Sequence, residues 1–435
     1  MNKQFFPAVF VAAFAATSQA DDSLLFLDGY NYVITWDKGR IADIKVSGEN
    51  GSGKDAPLLM YDAAAQKPTQ YQSLNPHAAI AVSLLAQRLL AMREGEKIAL
   101  NLPRQTVALV HDNRFIHANG DVTWVGYVEG QKELRAFITM AETGEILGQF
   151  ETPAGLYLLE NAEGRTWLVD VKASGLRPGS LKQDALVPAN GPANSPTASG
   201  AVAQGTTTVD LLALYTLNLA TPVTRINTLV AMANQAYVDS KINLKLRLVG
   251  AVRVNYTENN NNSTALNDLT YGRSTLNNVA SLRTKYGADL ASLIRPFIKP
   301  SQVSCGTAWV NGANSGVMNA RYGFSVVSDG RDKNGSSYYC GNYSLTHELG
   351  HNFGSAHDRA HSSVAGAFPY SYGYKLPVSG KGTIMSYYNP RIGYFSNPRI
   401  TCFGELCGKV ASEDNARSIG STSPKVANFM PRLVP

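Results

Sequence analysis

Between residues 346 and 358 the chain reads Thr346-His347-Glu348-Leu349-Gly350-His351-Asn352-Phe353-Gly354-Ser355-Ala356-His357-Asp358. Histidines four apart on a helix project from one face, one turn apart, so His347 and His351 can bind a single metal ion. Glu348, one residue on, is turned away from direct ligation but can reach a water beside the metal. Gly354 permits the left-handed backbone that ends a helix and swings the chain around, and His357 can then return as a third ligand. Three neutral imidazoles leave a tetrahedral Zn2+ one open position for water, the arrangement of a catalytic rather than a closed structural zinc. Zinc lowers the pKa of that water towards ~7, and Glu348 can take its proton and pass it to a leaving amine. Peptide hydrolysis is the chemistry such a set performs. At a few per cent frequency per residue type, a chance match at five fixed positions is on the order of one in ten thousand. Four of the seven histidines fall between 347 and 361, whereas His77, His111 and His117 have no such context and read as ordinary polar residues.

The pattern HExxHxxGxxH, carried by His347, Glu348, His351, Gly354 and His357, resembles the metzincin clan of zinc endopeptidases, and Asp358 directly after it is similar to the reprolysin (adamalysin) branch. Gly382-Thr383-Ile384-Met385-Ser386-Tyr387 resembles the clan's Met-turn, which implies that Met385 forms a hydrophobic floor under the ligands. Tyr387 is more similar to the tyrosine of astacins and serralysins. By that resemblance it is a labile ligand that swings to stabilise a tetrahedral oxyanion, the alternative being a packed aromatic. Asp358 would hydrogen-bond backbone near the Met-turn. The segment 305–311 stands where the clan's edge strand would lie, offering unpaired backbone groups to an extended antiparallel substrate; an inner strand with a packed Trp309 is the alternative. The resemblance covers about residues 207–435, implies an S1′ pocket from loops around 380–398, and makes the layout similar to secreted bacterial reprolysin-like metallopeptidases.

Elements must position these residues. Over 209–215 an apolar strand is expected, then an amphipathic helix over 222–240, a strand over 242–254, a helix over 266–286, and strands over 290–298, 306–311 and 323–328. Interleaved strands and helices point to a layered domain with a mixed sheet, an α+β architecture. Upstream, short strands over 24–27, 32–36, 106–110, 122–128, 134–141, 155–159 and 166–171 alternate with the hairpin signals Asn119-Gly120, Thr143-Gly144 and Glu163-Gly164, so the first half is β-rich. Apolar residues at helical spacing suggest a helix over 78–93.

The chain has 435 residues, 44% hydrophobic and 17% charged, which excludes a disordered or collagenous chain and suits two domains. Lys3, the apolar stretch 5–16 and Ser18-Gln19-Ala20 resemble a secretory signal peptide cut after Ala20. Twelve apolar residues are too few to span ~30 Å of hydrocarbon. Residues 21–206 carry 16 Lys+Arg against 21 Asp+Glu, and residues 207–435 carry 22 against 12. Scattered basic residues without aromatic interleaving argue against a nucleic-acid surface, and mutual attraction of the halves is expected instead. The expected layout is a signal peptide over 1–20, a β-rich pro-domain over 21–187, an uncharged Pro/Ala/Ser/Gly linker over 188–206 and a catalytic domain over 207–435. All four cysteines lie in the second half, paired by preference as Cys305 with Cys340 and Cys402 with Cys407. With no cysteine before 305, latency cannot use a thiolate and must use a carboxylate, a histidine or obstruction. The segment 120–130, with Trp124-Val125-Gly126, resembles pro-regions ahead of such bacterial enzymes. Together these readings imply a secreted, monomeric zinc endopeptidase made as a zymogen, with protein or peptide substrates, its own pro-domain as inhibitor, and no nucleic-acid or membrane partner. A non-catalytic zinc-containing binding or toxin module is the alternative, and a hydrolase of small peptides a third. The segment 329–335 reads as a turn rather than a calcium loop, and Arg399, Asp414 and Arg417 as surface charges.

Overall fold

The computed structural model describes the backbone of residues 21–27, 30–37, 40–48 and 51–52, and residues 57–75, 77–180, 184–188 and 205–433 in full. The expected signal peptide, and 189–204 of the expected linker, lie outside the described residues. The chain divides into two compact units, Met1–Leu58 with Leu84–Met92, and Leu59–Ser83 with Arg93–Pro435. In the first, Asp21–Leu27, Tyr30–Asp37, Arg40–Gly48 and Gly51–Ser52 form an antiparallel meander, and Ala86–Ala91 is a short helix.

The second unit holds a nine-stranded antiparallel sheet from Leu59–Asp62 to Lys97–Leu102 among the described residues. Its hairpins close where turn residues stand: Glu163 and Gly164 both take positive φ (49° and 73°), as a two-residue turn joining right-twisted strands requires. The helix expected over 78–93 is instead the strand Ala79–Leu84 followed by Ala86–Ala91. Pairing of Ala79–Val82 with Arg165–Asp170 supplies backbone partners along the sheet that the local periodicity did not anticipate. Three strands not expected at all, Leu59–Asp62, Lys97–Leu102 and Ile146–Thr152, complete the sheet.

Beyond it, Thr207–Tyr215 lies between Leu244–Arg253 and Leu290–Pro296, and the latter pairs with Phe324–Arg331, all in parallel. Parallel strands are covered on both faces, which explains their near-continuous apolar runs. Val209, Leu211 and Ala213 pack with Ile226, Leu229 and Tyr237 of the helix Pro222–Asp239 and with Leu345, Leu349 and Phe353, while Leu212 and Leu214 face Ala265, Leu266 and Leu269. The single helix expected over 266–286 is broken: Asn262–Tyr271 ends at Gly272 in the left-handed region (φ 61°), a short 3-10 turn follows, and Val279–Tyr286 resumes. Gly306–Trp309 pairs antiparallel with Phe324–Arg331 at the sheet's edge. Cys305 bridges Cys340, and Cys402 bridges Cys407, each with Cα atoms 5.2 Å apart. Asp414 is a correction to the surface reading: it is buried, pairs with Arg399 and accepts from the Arg417 N–H (2.9 Å) at the start of the helix Asn415–Val426.

The antiparallel sheet docks on the second half through Val125 and Phe137 against Met232 and Tyr343. Asn342 donates to Gln149 (2.6 Å) and Asn227 to Asp121 (3.0 Å). The most buried ion pair across this contact runs against the net charges: Arg135, from the acidic half, holds Asp239, from the basic half. Arg331 with Glu160 (3.2 Å) has the expected sign. Among the described residues no helix is long and apolar enough to cross a membrane.

Candidate metal centre

The helix Ser344–Asn352 is buried along its whole length between the sheet and the C-terminal loops. Gly350 makes this possible, because a Cβ there would collide with the Met385 sulfur and approach Phe395 to 3.1 Å. Past the helix, Gly354 (φ 84°) turns the chain so closely that a Cβ would lie 2.5 Å from Ala367 Cβ and 2.9 Å from Asn311 O. The turn returns His357 to the helix face.

His347 Nδ1 donates to Ile384 O (2.7 Å) and His351 Nδ1 to Ser355 O (2.8 Å), so the bare Nε2 atoms of both point into one space. His351 Nε2 is buried without a hydrogen-bond partner. His347 Nε2 lies 3.3 Å from His357 Nε2. A tetrahedral ion bound at ~2.0–2.1 Å would hold two such nitrogens about 3.3–3.4 Å apart, so the donor set fits zinc. Burial, followed by the neighbouring imidazoles, keeps His351 well below its ordinary pKa, and burial likewise lowers His347, shifts that favour the neutral form a metal needs.

A fourth donor completes the group. Asp184, three residues before the end of the expected pro-domain, brings its carboxylate to within 4.8 Å of all three histidines' ligand atoms. Its Oδ1 lies 2.9 Å from His357 Nε2 and Oδ2 lies 3.3 Å from His347 Nε2. Tyr387 donates its hydroxyl to Asp184 Oδ1 (2.8 Å). Burial would raise the Asp184 carboxyl, but His357 and His347 outweigh it and hold it well below the usual range. The segment carrying Asp184 is strapped to the sheet: Cys305 N donates to Ser180 O (2.9 Å), Ala308 N to Asp184 O (2.8 Å) and Val310 N to Leu186 O (2.8 Å). Ala185–Leu186 thereby pairs in parallel with Ala308–Trp309, and Arg177–Pro178 pairs in parallel with Tyr338–Tyr339. Gly179 lets the strap pass over the disulfide, since a Cβ there would sit 2.5 Å from Cys305 Sγ.

Glu348 stands beside the imidazoles with both oxygens buried and unpartnered. Burial, then the Asp184 charge, raises its carboxyl well above the ordinary value, with Arg391 opposing. It rests against Gly306, where a Cβ would lie 2.6 Å from its Cδ. Tyr387 tilts over His357 with ring centroids 4.3 Å apart, and burial and then Asp184 push its phenol upward. Asp358 Oδ2 accepts from Tyr387 N (2.9 Å) and Ser386 Oγ (3.1 Å), so it braces the turn that carries Met385. His361 stays outside this group and pairs with Asp358 Oδ1 (2.7 Å). Sequence reasoning brought His347, Glu348, His351, His357 and Tyr387 to one place but left Asp184 unnamed, and gave Gly306 and Arg391 no role of their own beyond the expected edge strand 305–311 and the loops 380–398. The one available signal for Asp184 was that it is the last charged residue before the uncharged stretch 185–206.

Residues 201–413 match the family model described as metallo-peptidase family M12B, reprolysin-like. That stretch, just under half of the chain, is similar to the reprolysin-like metallopeptidases. Residues 60–174 match a BamI lipocalin-like domain, so the antiparallel sheet ahead of the reprolysin-like part carries its own family signature. A peptidyl-Asp metalloendopeptidase from Stenotrophomonas maltophilia is 31% identical over 211 residues, covering 46% of this chain and 46% of that protein. The chain thus spans just under half the length of that relative. Another protein of the same name, from Xanthomonas campestris pv. campestris, is 26% identical over 367 residues, 78% of this chain and 83% of that protein. Among solved structures, metalloproteinase-II from Bacteroides fragilis aligns with a TM-score of 0.44 at 12% identity, covering 74% of this chain and 93% of that one.

Proposed function

We propose that the chain is a secreted zinc endopeptidase, made as a latent precursor, that hydrolyses peptide bonds flanked by an acidic residue. The observation that carries the reading is the convergence of His347, His351 and His357 around one point, with the unpartnered carboxylate of Glu348 beside it. Zinc, when bound, supplies a Lewis acid that polarises a carbonyl and lowers the pKa of water. His347, His351 and His357 would hold it. Glu348 accepts a proton from the attacking water and delivers it to the leaving nitrogen, and its two unpartnered oxygens leave it available for both transfers. Tyr387, once relieved of Asp184, can turn its hydroxyl to the oxyanion developing on the scissile carbonyl. Met385, wedged under Gly350, holds the floor of the site as the Met-turn resemblance implies.

Latency follows from the strap. Asp184 occupies the side of the site that an attacking water and a scissile carbonyl need, and it ties up Tyr387. The edge strand Gly306–Trp309 is covered by Ala185–Leu186, which runs parallel to it. A substrate adding antiparallel would present its peptide bonds in the opposite direction, so the strap obstructs the site without offering Glu348 a well-directed bond. Residues 21–187 thus act as an intramolecular inhibitor removed by a cut in 188–206, with export directed by 1–20. The preference for an acidic flank is carried over from the peptidyl-Asp metalloendopeptidases that the chain resembles.

The test is cleavage of a casein-like protein by the full chain after limited proteolysis between its halves. We expect internal cuts that a zinc chelator abolishes and added zinc restores, and a Glu348→Gln variant that still binds zinc but turns over roughly 10²-fold or more slowly. Chelator-insensitive cleavage, or near-normal turnover by Glu348→Gln, would refute the assignment.

A further inference from the structure

Among the described residues, the buried arginines of the second half are mostly well provided with partners. Arg225 holds Asp329 with two nitrogens and also donates to Asn342 (2.6 Å). Arg295 reaches Asn260, Asn262 (2.8 Å) and the Thr257 carbonyl (3.1 Å), and Arg283 donates to the carbonyls of Ala288 (2.9 Å) and Ala320 (2.6 Å). Arg391 differs. Its guanidinium makes neither a hydrogen bond nor an ion pair among the described residues, and its Nη1, like Arg295 Nε, is shut off from solvent without an acceptor. The rest of the side chain is partly exposed.

Its backbone is tightly placed. Arg391 lies opposite Gly382 in an isolated bridge, with Gly382 N donating to Pro390 O (3.1 Å) and Ile392 N to Gly382 O (2.9 Å). The same loop carries Met385 and Tyr387 between those two positions, so Arg391 is mounted on the frame of the metal centre. Its charge is felt there: it favours the ionised form of Glu348 and disfavours a proton on His347, and Asp184, Tyr339, Glu348 and Tyr387 all act on it in return. Yet the nearby carboxylates are directed elsewhere. Asp184 faces the imidazoles and Tyr387, and both oxygens of Glu348 lack any hydrogen-bond partner.

We propose that Arg391 is the specificity-determining residue of this site, a fixed guanidinium that binds the side-chain carboxylate of the substrate residue flanking the scissile bond. A guanidinium presents paired N–H donors in a plane matched to the two oxygens of a carboxylate. Placed on the rigid turn beside the metal centre, it recognises a side chain adjoining the scissile bond rather than one several residues away. An uncharged isostere in the substrate would leave a desolvated cation unsatisfied, so discrimination of aspartate from asparagine is large. The inference rests on the proposed endopeptidase reading and adds to it the group that selects the acidic flank.

The experiment uses the full chain activated by limited proteolysis, with paired peptides that differ only as Asp or Asn on either side of one cleavable bond. For the unsubstituted protein we expect kcat/KM to favour the Asp peptide by ~10²-fold or more. Arg391→Gln should cut that ratio to below ~10-fold, mainly through KM for the Asp peptide; loss of the charge acting on Glu348 falls on both peptides alike, so the ratio is the readout. Arg391→Lys should retain an intermediate ratio, and its cleavage of the Asn peptide reports a folded site. An undiminished Asp preference in Arg391→Gln overturns the proposal, as does equal loss on both peptides alongside normal zinc content. An unsubstituted protein that cuts both peptides equally overturns the selectivity while leaving the endopeptidase reading intact. One that cuts no peptide at all overturns both.

Discussion

Replacing Asp184 by alanine separates the two components of the proposed restraint. The carboxylate accepts from Tyr387 (2.8 Å) and lies 2.9 Å from His357 Nε2. A hydrogen bond to a charged group is worth about 1.5–3 kcal/mol, and the substitution removes the bond from Tyr387 together with the attraction of the carboxylate to the positive charge the histidines would hold, at least ~3 kcal/mol of grip on the site. At 1.4 kcal/mol per decade, that is ~10²-fold in the population of open sites. The strap's backbone bonds from Cys305, Ala308 and Val310 remain, and each is worth only about 0.5–1.5 kcal/mol. Uncut Asp184→Ala precursor should therefore hydrolyse a fluorogenic peptide ~10²-fold faster than the uncut unsubstituted precursor, yet still rise further when nicked. Initial rates should be taken before self-processing, with chain integrity followed by mass spectrometry. After nicking the two proteins should be alike. An increase below about 3-fold in intact Asp184→Ala, with normal activity after nicking, would refute the reasoning and leave obstruction by the strap as the restraint.

Three other perturbations probe the same frame. Tyr387→Phe removes the hydroxyl that Asp184 engages in the precursor and should lower kcat of the nicked enzyme by ~10–10²-fold with little change in KM, measured by steady-state kinetics. Gly306→Ala places a methyl 2.6 Å from Glu348 Cδ, and should lower turnover ~10-fold or more while costing only about 1–3 kcal/mol of stability in a denaturant titration. Glu151, close to Tyr343 at the contact between the halves, has its carboxyl raised by burial from 4.5 to about 7, with Arg135 and Lys381 opposing. Below 4.5 it is protonated whether docked or released, and above 7 the docked form must keep a buried anion, so docking weakens as pH rises from about 4.5 to about 7. Inhibition of the nicked enzyme by its own pro-region should lose up to ~3 kcal/mol across that window, and Glu151→Gln should flatten the profile.

The metal centre was legible because its chemistry is local. Two histidines one turn apart, a glycine at the turn and a returning histidine specify their own geometry over eleven residues, and Tyr387 follows its methionine at fixed spacing. Strands closed by Asn119-Gly120 or Glu163-Gly164 were legible for the same reason, since turn chemistry sets their register. The helix over 78–93 was misread because the pairing of Ala79–Val82 depends on strand partners more than eighty residues away. Gly272 interrupts the helix expected over 266–286 through a local left-handed turn, a signal that was present and overlooked. Asp184, Gly306 and Arg391 carry no motif. Each matters only through what lies beside it in space: a carboxylate across a strap, a missing Cβ beneath Glu348, a guanidinium on the turn that follows Met385.

With Asp184 in place, the three imidazoles and one carboxylate make a complete set of four protein donors, the composition of an ion that cross-links a fold rather than one that reacts. On this reading His347, His351, His357 and Asp184 would together hold zinc while the chain folds, joining the strap to the body of the protein as a staple would. A cut downstream would let Asp184 leave, and the three histidines would then hold a site with one position open.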